Sequence, residues 1–193
     1  MLPELSLHIL DIAENALRAG ASSVGIDILA DIAEDLLTIV ITDDGCGMDE
    51  ETLHQVADPF YTTRTTRKIG LGVPFFKQAA ELSGGQLSIL SDKGSGTKVT
   101  ATFVLSSIDR MPLGDVASTM HILITTHEET DFSFLLTVRD DAGGKYVFEM
   151  RTEEMRTLLE EVPFHTPEVS AYIREYLTEH IKDVLQHTGK DTI

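Results

Sequence analysis

The chain has 193 residues and carries 32 acidic against 15 basic side chains, a formal net charge of -17. That length accommodates one ordinary domain with an appendage or two small ones, and 42% hydrophobic with 24% charged residues is a globular balance rather than a disordered one. The acidity is even, 15 acids to 7 bases over residues 1–107 and 17 to 8 over 108–193, so neither half offers the basic face that nucleic acid requires.

The first apolar residues are broken by Glu4, His8, Asp11 and Glu14, and no run approaches membrane-spanning length. A soluble cytoplasmic protein without nucleic-acid or membrane partners is therefore expected. The single cysteine, Cys46, has no internal disulfide partner, which agrees with a reducing compartment.

PELSLHILDIAENALRAG reads as an amphipathic helix ended by Gly20, with Leu5, Ile9, Ile12, Ala13 and Ala16 on one face and His8, Asp11 and Asn15 beside it. His8 reads as a partly buried imidazole with its hydrogen bonds met, or as a support for Asp11. Val24, Ile26 and Ile28 alternate as in a half-buried strand, and LLTIVIT follows a polar turn, which predicts an antiparallel hairpin. DDGCGM breaks the second strand, DEETLHQVA makes a short helix, and Asp58 to Lys68 has the Thr-rich character of a loop. GVPFFKQAAELSGG predicts a helix with Pro74 in its first turn and a glycine pair at its end. QLSILS and TKVTATFVL then read as strands joined by a DKGSG turn.

The pattern resets at SSIDRMPLGD, which places a boundary near Ser107. Residues 1–107 are then one domain, and 108–193 a smaller α+β domain of interaction or dimerisation type. In the latter, MHILITT, FSFLLTVR and KYVFEM read as strands, with a tight turn at Gly143 and Gly144, and helices are expected over about 152–162 and 167–187.

Several chemistries are missing. There is no GxxxxGK[ST] loop, no complete GxGxxG, no GxSxG elbow and no zinc-like histidine spacing. What remains is three glycine turns, at Gly45 to Gly47, Gly70 to Gly72 and Gly94 to Gly96, together with Asp11 and Asn15 at helical spacing. Glycines permit close backbone approach, as a ligand clamped by main-chain groups requires.

These segments in this order, Asp11-x-x-Glu14-Asn15, DDGCGM, DPFYTTR, GLGVPFFKQAAELSGG and GSGT, resemble the ATP-binding domain shared by sensor histidine kinases, gyrase, Hsp90 and MutL, called the GHKL or Bergerat fold. The resemblance covers about residues 4–106 and is nearest the histidine-kinase branch. It implies an α+β fold: a two-layer sandwich whose mixed, largely antiparallel sheet is covered by helices on one face. It also implies ATP and Mg2+ as cofactors. Asn15 would then bind the metal, Asp43 would accept from the adenine amino group with Gly47 and Thr97 supporting the base edge, and Gly70 and Gly72 would present N–H groups to the phosphates. Arg64, Arg67 and Lys68 would offset phosphate charge within a lid. The same motifs would bring Gly45, Met48, Phe60, Thr63, Leu71 and Val73 to the pocket.

Three functions are compatible with that resemblance. A kinase would transfer the γ-phosphoryl to an unidentified protein partner, since only three residues precede the first helix and no phosphoacceptor helix is expected upstream. A slow ATPase would use Asp11 or Glu14 as base, Asp11 standing where hydrolases of the family have a Glu one methylene longer. An ATP-regulated binding module would resemble the anti-sigma kinases and act on a regulated target or as a homodimer.

Overall fold

A computed structural model describes residues 2–57, 72–160 and 162–189. Helix α1 (Leu5–Arg18) buries Leu5, Ile9, Ile12, Ala13 and Ala16, the face its periodicity predicts, and the chain leaves it through Gly20 at φ 77°. Strands β1 (Ser23–Asp31) and β2 (Leu36–Asp43) form the expected antiparallel hairpin. Helices α2 (Glu50–Ala57) and α3 (Gly72–Leu82) follow, and then a second antiparallel pair, β3 (Gln86–Asp92) and β4 (Gly96–Val104).

Beyond Ser107 come α4 (Val116–Thr126), β5 (Asp131–Arg139), β6 (Lys145–Arg151), α5 (Thr152–Leu158) and α6 (Pro167–Leu185). The segment MHILITT, expected as a strand, is the body of α4. Its apolar run is buried on nearly every side, which removes the periodicity that separates a short buried helix from a strand. The decisive signal is local: the Asp115 carboxylate accepts from Ser118 N at 2.8 Å and from Ser118 Oγ at 2.6 Å, capping the helix.

The six strands form one mixed sheet in the order β3-β4-β2-β1-β5-β6, with β1 and β5 parallel and every other pair antiparallel. Among the described residues, the strands past Ser107 extend this same sheet. Along each strand the alternate residues face the helices: Val24, Ile26, Ile28 and Ala30 on β1, Leu37, Ile39 and Ile41 on β2, Val99, Ala101 and Phe103 on β4, and Phe132, Phe134, Leu136 and Val138 on β5, all within one buried cluster. The opposite face carries Asp27, Thr42, Lys98, Lys145 and Glu149 toward solvent, so the fold is a two-layer α+β sandwich.

Two features tie the late segments to the first helix. The α1 amides of Leu5 and Ser6, which have no partner within the helix, donate to the carbonyls of Pro112 and Leu113 at 2.9 and 2.8 Å. Helix α4 packs between α1 and α6. No helix among the described residues is long and apolar enough to cross a membrane.

Candidate nucleotide site

At one end of the sheet the helix-facing row turns polar. Asp43, the last residue of β2, lies directly opposite Thr97 on β4, and Thr97 lies opposite Ser91 on β3. Asp43 is only partly buried, yet loss of water around it pushes its carboxyl above the usual carboxylate range, against the N–H donors of Gly45 and Thr97 that favour the charged form. The Gly45 N–H reaches Asp43 Oδ1 at 2.9 Å.

The neighbouring carboxylate behaves otherwise. Asp44 accepts from the amides of Ser22 and Ser23, each at 2.8 Å, and from the Ser22 hydroxyl, which holds its pKa below the usual range and anchors the start of β1.

The glycines around Asp43 are required by contact. Gly47 has φ 61°, and a Cβ there would fall on the carbonyl of Asp92; Gly96 has φ 87°, and a Cβ there would fall on the carbonyl of Asp43 itself. The loop at 45–48 is fastened to the β3–β4 turn by Gly94 N to Cys46 O at 2.7 Å and by Met48 N to Ser91 Oγ at 2.9 Å. Cys46 is exposed, and its backbone rather than its thiol does the holding.

On the helix side, Asp11 lies against the start of α3: a Cβ on Gly72 would stand 3.0 Å from the Asp11 Cβ and 3.2 Å from its Oδ2. Gly72 and Val73 are buried there. Asn15, one turn along α1 from Asp11, accepts at Oδ1 from Arg18 Nη2 at 2.6 Å. Glu14 points elsewhere, its Oε1 3.0 Å from Nε2 of His127 at the end of α4. Of the two expected acids, Asp11 is therefore the one beside α3.

His8, one turn before Asp11, is fully buried and stacked on Phe76 of α3, with ring centroids 5.4 Å apart. Neither ring nitrogen has a hydrogen-bond partner among the described residues, which corrects the expectation of a satisfied imidazole. Burial lowers its pKa, opposed by the charge of Asp11. Phe60, Thr63, Arg64, Arg67, Lys68, Gly70 and Leu71 lie outside the described residues.

Ser91 escaped the sequence reading. The signal was present, because Leu87, Ile89 and Ser91 share the inward side of β3, and a serine that continues an apolar alternation next to a turn is placed for a polar partner. Arg18 as the partner of Asn15 had a local signature too, since three residues apart on one helix places both on the same face.

Residues 3–107 match the family described as "Histidine kinase-, DNA gyrase B-, and HSP90-like ATPase". The chain belongs to this family. Among curated relatives of this ATPase family it is similar to the sensor protein kinase FleS of Pseudomonas aeruginosa, 35% identical over 108 residues, covering 56% of this chain and 26% of that one. It is also similar to the tetrathionate sensor histidine kinase TtrS of Salmonella typhimurium, 35% identical over 109 residues, covering 53% and 18%. The chain thus spans about a quarter or less of the length of these relatives. Among solved structures, the N-terminal domain of a DNA repair protein superimposes with a TM-score of 0.54 at 13% identity, over 77% of this chain and 53% of that one, a likeness of fold.

ATP binding is what the family implies, and the polar end of the sheet supplies chemistry suited to it. A buried-side carboxylate and an adjacent hydroxyl suit the amino edge of a purine, and the start of α3, with the positive end of its dipole, suits phosphate oxygens.

Proposed function

We propose that the chain binds Mg-ATP between the Asp43 end of the sheet and the Asp11, Asn15 and Gly72 surface, and transfers the γ-phosphoryl to a histidine supplied by a protein partner. The observation that carries this reading is the Asp43 carboxylate on the helix-facing row, with one oxygen held by Gly45 N–H and Thr97 as its cross-strand neighbour. Asp43 orients the base, the N–H groups at the start of α3 receive phosphate oxygens, and Asp11 borders the phosphate end.

The donor set suits magnesium. Asn15 Oδ1 is a half-exposed carbonyl acceptor that already holds a cationic group, Arg18, and Mg2+ keeps most of its waters and needs few protein ligands. No group of three or more His, Cys, Asp or Glu placed to cage a metal occurs among the described residues, in keeping with an ion that arrives on the nucleotide. Bound there, the ion would neutralise charge on the phosphates.

A slow ATPase is the second reading, favoured by Asp11 against Gly72, where a carboxylate at the phosphate end could take a proton from water. The portion beyond Ser107 we assign as the contact with a partner or a second copy. Ile108, Leu158 and Tyr172 are 98%, 81% and 55% exposed there. An ATP-dependent role of this kind belongs in the cytoplasm.

The full chain, incubated with γ-labelled Mg-ATP and candidate partners, discriminates these readings. Phosphoprotein supports transfer, free phosphate that disappears in Asp11→Asn supports the ATPase, and binding with neither product supports an ATP-regulated module. Mg-ATP at ~100 times Kd should stabilise the fold by about 2.7 kcal/mol. No rise in melting temperature, or an equal rise in Asp43→Asn, would overturn nucleotide binding at this site.

A further inference from the structure

Ser91 does more than fill the end of β3. Its Oγ stands 2.9 Å from each of three groups: the Met48 N–H, the Gly96 carbonyl and the Thr97 hydroxyl. A serine hydroxyl has one hydrogen and two lone pairs. The hydrogen goes to Gly96 O, because a carbonyl can only accept, and one lone pair takes the Met48 N–H, because an amide can only donate. Only a lone pair is left for Thr97, so the Thr97 hydroxyl must be the donor in that contact. Its own hydrogen is thereby directed at Ser91, and it offers only lone pairs to the site beside Asp43.

We infer that Ser91 is a specificity-determining positioning residue: by fixing the direction of the Thr97 hydroxyl, it makes the Asp43 corner accept hydrogen bonds and donate none. A ligand edge that meets this corner must bring N–H donors. A 6-aminopurine does so through its exocyclic amine, whereas a 6-oxopurine in the same pose sets a carbonyl lone pair against the lone pairs of Thr97 and the charge of Asp43. The inference rests on the nucleotide reading above. It adds the source of base selectivity, which lies one strand beyond the residues that face the base.

The test compares ATP with inosine triphosphate, which replaces the 6-amino group by an oxo group and leaves the rest of the molecule in place. Kd values for both would be measured by calorimetry on the full-length chain and on Ser91→Ala, Ser91→Thr and Thr97→Val. Ser91→Ala releases the Thr97 hydroxyl to turn and donate to the oxo group, so the preference for ATP should fall about three- to tenfold, the worth of one neutral hydrogen bond. Ser91→Thr keeps the hydroxyl and should keep the preference.

Thr97→Val should lower the preference with Ser91 intact, and adding Ser91→Ala to it should change nothing further. This pair keeps the inference open to refutation even if Ser91→Ala alone folds poorly. Equal weakening of both nucleotides in Ser91→Ala, as plain structural damage would produce, overturns the inference and leaves nucleotide binding standing. Failure of the unmodified chain to bind either nucleotide overturns both.

Discussion

His8 shows how an ionisable side chain can serve as an apolar one. Packed between α1 and α3 and stacked on Phe76, it has no hydrogen-bond partner at either nitrogen among the described residues, and burial disfavours its charged form. Its folded pKa lies below the unfolded value of 6.5, so the unfolded chain binds more protons in that window. Stability is therefore complete above pH 6.5 and is lost as pH falls from there toward the depressed folded value. His121, whose pKa is lowered by burial and by Arg174, acts in the same direction. Melting temperatures at pH 7.5 and 5.5 should show a drop on acidification that is smaller in His8→Leu than in the unmodified chain. An identical drop in the variant would mean that His8 finds a charged partner when protonated.

Among the elements, legibility followed periodicity. Helix α1 and the β1–β2 hairpin were readable because one face of each is apolar and the other is not, so the 3.6-residue and two-residue repeats stand out. Helix α4 was misread because Val116, Ala117, Met120, His121, Leu123 and Ile124 are all buried, and an element packed on most sides leaves no polar stripe to count. Its start was nonetheless encoded in Asp115 and Ser118, two side chains that make sense only as a cap.

Asp115→Ala should cost about 1 kcal/mol, seen as a lower denaturant midpoint with an unchanged slope. An unaltered midpoint would mean that packing alone holds the first turn of α4. The candidate site divides the same way. Asp43, Gly47 and Thr97 were readable from glycine turns and motif order, whereas Ser91 depends on which strand lies alongside, a tertiary fact.

For the whole molecule, the least legible feature was the parallel pairing of β5 with β1. A strand's own pattern records that one face is buried and says little about which neighbour it takes. The consequence reaches back to the first helix, whose opening amides are closed by Pro112 and Leu113, and whose Glu14 is bonded to His127. A fragment of residues 1–107 would expose the β5 side of β1 and leave those amides open. It should lack the cooperative thermal transition and dispersed amide spectrum of the full chain. A fragment that melts cooperatively at the full-length temperature would show that the first 107 residues are an independent unit.

The polar row at the end of the sheet also acts as a check on assembly. Asp43, Thr97 and Ser91 come from three adjacent strands and meet only because each falls at the same level on the same side. Sliding β4 by one residue would turn Thr97 to the solvent face and bring Lys98 or Gly96 into its place. Misaligned sheets would keep much of their hydrogen bonding and lose this site entirely. Any ligand recognised there binds the correctly threaded molecule alone, and so draws the population toward it.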